Sequence, residues 1–469
     1  MELTVTEKIL AEYPRYKEPD LNLEWITLSD ILPKIEKLKK IDSLSVFEIG
    51  HSIEGREIFR IKAGRGKTKI LLWSQMHGDE PTATKAIFDL LNFLTADDQF
   101  NEFRRELLDK LEINFVPMLN PDGAARFTRE NAVNIDLNRD AVSLQCPESN
   151  TLQKIKDEIK PYFSFNLHDQ NRYYSVGKTD LTPALSFLAP PFNYEGTINM
   201  ARSRAMKMIA NLTGVLSQII PGRIAKYSDD HEPRSFGDNF NGQNSAVILI
   251  ESGFMIDDPL KEKIRELNFY SLITSFHSAA SNKYEEYDLE GYNSIPVNEN
   301  RYFDLMLKNG EIERNGIKYK IDIGINRYPV PLPDRREFYF KGNIEAIGDL
   351  STYSAHQIID CSGLSIYGEK IYPVELDTIE EAFQFNPELL NKKGFTTLLC
   401  RECNIMDEFI KMPFNIRLRK DTLQSEIKTG NPANLYLHNG TGVVYRVING
   451  FFTASAADEN LILNGLIFH

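Results

Sequence analysis

The stretch "SQMHGDEPTAT" (Ser74–Thr84) sets a histidine, His77, three positions before a glutamate, Glu80. The run before it, "KILLWSQ" (Lys69–Gln75), is short and apolar, the pattern of a strand buried on both faces. The run after it, "TATKAIFDLLNFL" (Thr82–Leu94), has helical length and periodicity. A strand that passes through a turn into a helix predicts an α/β unit, whose functional residues gather where the strands end. Alone, the pair is compatible with a plain polar turn and with half of a metal site.

The same grammar recurs along the first part of the chain. "INFVPML" (113–119), "YFSFNLH" (162–168) and "SAVILIES" (245–252) read as further buried strands. "VFEIGHSIEGREIFRIKAG" (46–64) reads as two strands around a turn at Gly55. Helices are predicted over 27–40, capped at Ser29 or Asp30, and near 80–94, 195–217 and 258–280. The expected fold class is α/β: a mixed, mostly parallel sheet covered by helices on both faces. From about residue 300, short β-like runs broken by Gly and Asn predict a smaller, mainly-β sandwich domain. The linker is read in "EEYDLEGYNSIPVNEN" (285–300), dividing the chain into 1–290 and 291–469.

The bulk numbers exclude some partners. A net charge of −13 over 469 residues argues against nucleic acid or an anionic membrane surface. No run approaches the roughly 18 apolar residues that span a bilayer. The opening "MELTVTEKILAEYPRYKEPD" has neither a basic n-region nor an apolar h-region, so a cytoplasmic location is expected. Of the four cysteines, only Cys400 and Cys403, in "CREC", are closely spaced; without a second pair, free thiols are expected. A homo-oligomer is compatible with this composition.

Three residues stand at or just past strand ends: His77, His168 in "FNLHDQN" and Glu251 in "VILIESGF". His77, Glu80 and His168 make a three-ligand set of the kind that leaves a catalytic zinc one open position. Asp169 is placed to orient a ligand from behind. Glu251 follows four apolar residues, where a carboxylate is costly unless paired or used in chemistry. "NPDG" (120–123) reads as a turn after a strand. In "DLNRD", the neighbouring Asn138 and Arg139 suit a planar carboxylate, and Arg129 in "TREN" adds a second cation.

In order, "HGDE", "NPDG", "TREN", "DLNR", "NLHD" and "ESG" resemble the zinc metallocarboxypeptidase family that includes pancreatic carboxypeptidase A. "GHSIEGREI" (50–58) resembles its upstream turn, and the likeness covers roughly residues 40–280. It implies one zinc per chain on His77, Glu80 and His168, with Glu251 as general base and then proton donor. It implies that Arg129 stabilises the oxyanion, and that Asn138 and Arg139 clamp the free carboxylate of a peptide. It further implies Tyr227, in "AKYSDDHEP", as the tyrosine that closes over the substrate, and Asp238, in "FGDNF", near the floor of the specificity pocket. One departure is Asp79, where the pancreatic enzymes carry arginine; it places the substrate in question more than the hydrolysis.

The C-terminal part has a resemblance of its own. Segments 303–364 and 427–452 resemble the two halves of the β-sandwich that flanks the barrel of amidohydrolases. The residues between them are far short of the ~250 of a barrel, and "IYPVELDT" (371–378) lacks the histidines that open one. The leading expectation is therefore a zinc carboxypeptidase with an accessory β domain. A zinc amidase acting on a peptidoglycan stem peptide or an N-acyl amino acid is a second reading. A zinc-holding binding protein without turnover is a third.

Overall fold

The computed structural model describes residues 4–332, 336–402, 408–418, 426–454 and 463–468. It divides into two compact units, Met1–Asn300 and Arg301–His469. The division falls ten residues later than the expected 290/291. The segment after 290 belongs to the first unit because its last strand, β10 (Asn298–Asn300), pairs antiparallel with β6 (Tyr174–Val176).

The first unit is built on an eight-stranded sheet. Its strands are β1 (Leu44–His51), β2 (Glu57–Gly64), β3 (Thr68–Trp73), β4 (Leu111–Val116), β5 (Phe163–Asp169), β7 (Leu185–Leu188), β8 (Ile224–Lys226) and β9 (Ala246–Ser252). The spatial order is β1-β2-β4-β3-β5-β9-β7-β8. Four of the seven pairings are parallel: β4 with β3, β3 with β5, β5 with β9, and β7 with β8. The other three are antiparallel, so the sheet is mixed as expected.

Strand side chains alternate between faces, and the two cores follow that alternation. Ile70 and Leu72 pack into one cluster with α3 (Thr82–Thr95), α7 (Met200–Leu216) and α9 (Glu262–Ser281). Leu71 and Trp73 pack into another with α6 (Pro147–Ile159) and α8 (Phe236–Gly242). Helices therefore cover both faces, and a continuous apolar run such as "ILLW" feeds both clusters.

Helix ends differ from the sequence reading where side chains decide them. α2 (Leu28–Leu38) is capped by Thr27, not by Ser29 or Asp30; Asp30 reaches back, and its Oδ2 accepts from Thr27 N and Thr27 Oγ1, each at 2.8 Å. α9 begins at Glu262, four residues later than read, because Asp258 accepts from Glu262 N and Ile264 N and holds 258–261 as a turn. "NPDG" opens a short helix, α5 (Pro121–Arg126), rather than a free turn. Asn120 caps it, its Oδ1 accepting from Gly123 N at 2.9 Å. The short strands β6, β7 and β8 were not foreseen.

In the second unit, β11 (Tyr302–Arg314), β12 (Ile317–Leu332), β13 (Glu337–Gly348), β14 (Ser354–Asp360) and β15 (Ser365–Tyr367) share one sheet with β20 (Leu435–His438), β21 (Val443–Ile448) and β22 (Phe451–Ala454). The two segments meet where β15 pairs antiparallel with β20. The residues between them contribute β16 (Ile371–Thr378), β17 (Thr397–Glu402), β18 (Phe409–Ile410) and β19 (Asn415–Arg417). With β23 (Gly465–Phe468) these form a second, largely parallel sheet with its own core. Cys361 is a buried free thiol, as is Cys146 in the first unit; Cys400 is buried, and Cys403 lies outside the described residues. Among the described residues, no helix is long and apolar enough to cross a membrane.

Candidate metal centre

Parallel β3, β5 and β9 end at one edge, and the site is built there. β5 and β9 are registered so that His168 lies opposite Glu251. His77 and Glu80 arrive on the turn between β3 and α3, closed by Glu80 N donating to His77 O at 3.3 Å. That turn is wedged against α5. A Cβ on Gly78 would stand 2.0 Å from Gly123 C and 2.1 Å from Ala124 N, so only glycine fits. Asn120 Nδ2 donates to Met76 O at 3.2 Å and ties the same two elements. The "HGDE" and "NPDG" motifs are thus halves of one packing contact.

His77, Glu80 and His168 are all buried, and one ligand atom from each lies within 4.8 Å of the others. His77 Nδ1 is 2.7 Å from Glu80 Oε1, His168 Nδ1 is 2.7 Å from Glu80 Oε2, and the two Nδ1 atoms are 3.1 Å apart. Two imidazole nitrogens facing each other at that distance out of water, with a carboxylate between them, make a cradle for a cation. Two nitrogens and one carboxylate are also the donor set of a catalytic zinc. The residues present fit the metal.

The electrostatics agree with that fit. Burial pushes His77 down, but the Glu80 charge and the hydrogen bonds that the imidazole donates to Asp136 and Glu80 outweigh it and raise His77 to about 9. Burial pushes Glu80 up, yet the two histidines hold it below the ordinary carboxylate range. His168 is lowered, chiefly by burial. Glu251 stands well above the ordinary range, because of burial first and the neighbouring Glu80 charge second.

Asp136 is the residue that the sequence reading missed. Its Oδ1 is 3.1 Å from His77 Nε2, and its Oδ2 accepts from Arg129 Nε at 3.1 Å and Arg129 Nη2 at 3.0 Å. It therefore orients a ligand-type histidine and an arginine together. The available signal was an acid directly before Leu-Asn-Arg: Asp136 caps the 3-10 turn Leu137–Arg139, its Oδ1 accepting from Asn138 N at 2.8 Å. Asp169 does not take the expected orienting role with its carboxylate, which accepts from Thr82 Oγ1 and Lys261 Nζ. Only its backbone reaches the site, Asp169 N donating to Glu80 Oε2 at 3.1 Å.

Arg129 points into the cluster, with Nη1 3.1 Å from His77 Nδ1 and 3.4 Å from Glu80 Oε1. Asn138 is buried, and its Oδ1 accepts from Phe236 N at 3.1 Å. Arg139 Nε lies 3.4 Å from Glu232 Oε2, a partner absent from the sequence reading. Tyr227 sits just past β8, half-buried, hydrogen-bonded to Tyr174 and within the field of Glu251. Asp238 is consumed structurally: it accepts from Ser235 Oγ and Glu232 N and pairs with His231 Nδ1 at 2.8 Å.

Residues 34–202 match the zinc carboxypeptidase family. The match includes His77, Glu80, Arg129, Asn138, Arg139 and His168 and ends before Tyr227 and Glu251. Carboxypeptidase 2 of Trichophyton equinum is 27% identical over 145 residues, 31% of this chain and 25% of that protein. Carboxypeptidase D of Drosophila melanogaster is 29% identical over 132 residues, 24% of this chain and 9% of that one. The chain thus spans a quarter or less of the length of these curated relatives. A metallo-carboxypeptidase structure from Burkholderia cenocepacia aligns at 18% identity and a TM-score of 0.45, covering 56% of this chain and 71% of that one.

Proposed function

We propose that this chain, whose residues 34–202 belong to the zinc carboxypeptidase family, is a zinc-dependent hydrolase that removes the C-terminal residue from a peptide with a free carboxylate. The observation that carries this reading is the convergence of His77, Glu80 and His168 beside Glu251, which lies in register with His168 on the adjacent strand.

One zinc ion on these three groups would supply a Lewis acid that polarises a carbonyl and acidifies water. The chain's own residues account for the rest. Asn138 Nδ2 and the Arg139 guanidinium bind the terminal carboxylate and fix which peptide bond reaches the centre. Arg129, held by Asp136, places positive charge where an oxyanion develops. A carboxylate oxygen of Glu251 takes the proton of the attacking water and passes it to the leaving amine nitrogen. Tyr227, beside Glu251, shields that transfer from bulk solvent.

Glu251→Gln tests the reading. The variant is expected to hold one zinc per chain and to lose peptide hydrolysis by about a hundredfold or more. Hydrolysis that survives both this substitution and chelation would remove the basis for the proposal. Amidated peptides are expected to be poor substrates, because the clamp recognises a carboxylate.

A further inference from the structure

The arginine that would receive the substrate's carboxylate already faces a carboxylate of this chain. Arg139 Nε lies 3.4 Å from Glu232 Oε2, and the two side chains are 38% and 30% exposed, so a ligand in solvent can reach both. The segment carrying Glu232 is pinned through its backbone. Glu232 N donates to Asp238 Oδ1 at 3.0 Å, Ser235 N to Glu232 O at 2.9 Å, and Ala141 N to Arg234 O at 3.0 Å. Any re-pairing here is therefore a matter of side chains.

Two cations share Glu232, and they share it unequally. Arg234 donates three times: N and Nε to Oε1 at 3.1 and 3.0 Å, and Nη2 to Oε2 at 2.8 Å. Arg139 makes its closest approach at 3.4 Å, beyond the about 2.7–2.9 Å of a charge-assisted hydrogen bond. The hydrogen bond from Arg234 comes first among the causes that hold the Glu232 carboxyl at about 2, and the Arg139 charge is a lesser one. Glu232 is thus ionised at neutral pH, and it stays paired with Arg234 if Arg139 turns to another carboxylate.

Resting on the hydrolase reading, we infer that Glu232 is a specificity-determining residue: an exchangeable counter-ion that the substrate's terminal carboxylate displaces from Arg139 while Arg234 retains it. One ion pair replaces another, with no proton moved and no covalent bond broken. Every free-acid peptide must displace a like charge to bind. A peptide amide does not compete for Arg139 and is indifferent to Glu232. The residue thereby sets how strongly the clamp prefers a free acid over an amide.

The probes are N-acetylated tripeptides, one for each C-terminal residue, each made as the free acid and as the amide. Binding to zinc-loaded Glu251→Gln protein is measured by calorimetry, and the tightest free acid and its amide are carried into further substitutions on that background. Glu232→Gln is expected to tighten the free acid about three- to fivefold, the scale of a partly exposed ion pair. Arg234→Gln leaves Glu232 to Arg139 alone and is expected to weaken the free acid at least threefold. The double substitution is expected to match Glu232→Gln, because no carboxylate is left to compete. The amide is expected to shift less than twofold throughout. A merely structural role for the segment would move both single variants in the same direction. Free-acid binding that weakens in Glu232→Gln with zinc content intact overturns the inference. So does binding that neither substitution changes, or a background that binds no free acid more tightly than its amide. If the opposite shifts appear but the wild type hydrolyses none of these peptides, the hydrolase reading fails and the inference about Glu232 stands.

Discussion

His77 carries two predictions at the scale of single residues. Its raised value of about 9 means that the metal-free imidazole is protonated at pH 7, whereas a metal ligand must be neutral. Zinc binding near neutral pH is therefore expected to release about one proton from this site. Apparent affinity should fall by about tenfold for each pH unit below about 9. Competition titrations at pH 6, 7 and 8, in buffers of different ionisation enthalpy, measure both quantities; an affinity flat across that range would contradict the assignment. Asp136, 3.1 Å from His77 Nε2, is the second target. Asp136→Ala is expected to cost about 10–100-fold in zinc affinity, the usual effect of removing the group that orients a ligand. Such partners are hard to read from sequence. A ligand triad is visible because histidines at strand ends are unusual, but an aspartate before a 3-10 turn has an adequate capping explanation of its own.

Elements hold these residues through close approach more than through hydrogen bonding. The β3–α3 turn carries His77 and Glu80 only because it nests into the start of α5, and Gly78 is where the two backbones meet. Gly78→Ala is expected to force the turn off α5, costing about 3 kcal/mol, toward the upper end of overpacking effects. It should also lower zinc content, because the ligand geometry moves with the turn; equilibrium unfolding and metal analysis check the two parts. The strand and helix sequence of the first unit was legible because buried strands and amphipathic helices have different periods. The short strands β6–β8 were not, since three or four residues carry too little pattern to separate from loop. The small parallel sheet of the second unit escaped for a related reason: β17 and β19 are six and three residues long and bring few apolar alternations.

Across the first unit, the N-terminal segment, α3 and α9 are joined by one buried ion pair. Asp89 and Arg265 are both fully buried. The Asp89 carboxylate accepts from Arg265 Nε and Nη2, Tyr13 Oη and Glu18 N, and Arg265 Nη1 donates to Leu21 O. Asp89→Asn strands the guanidinium out of water and is expected to cost about 3–5 kcal/mol, read by urea unfolding of the zinc-loaded protein. Zinc itself should stabilise the first unit: free metal at a hundred times Kd adds about 2.7 kcal/mol, so chelation is expected to lower the unfolding temperature.

The sequence by itself determined the alternation of buried strands and helices, the carboxyl-edge placement of His77, His168 and Glu251, and the order of motifs marking the zinc carboxypeptidase resemblance. These are local: periodicity and strand-end position are written within a dozen residues. Only the tertiary structure decided that Asp136 serves His77 and Arg129 together, that Glu232 holds Arg139, that Asp169 turns its carboxylate to Lys261, and that Asp79 Oδ1 is left without a donor. Each depends on which polar atoms two separate segments bring within about 3 Å of each other. The spacing of letters along one chain does not contain that distance.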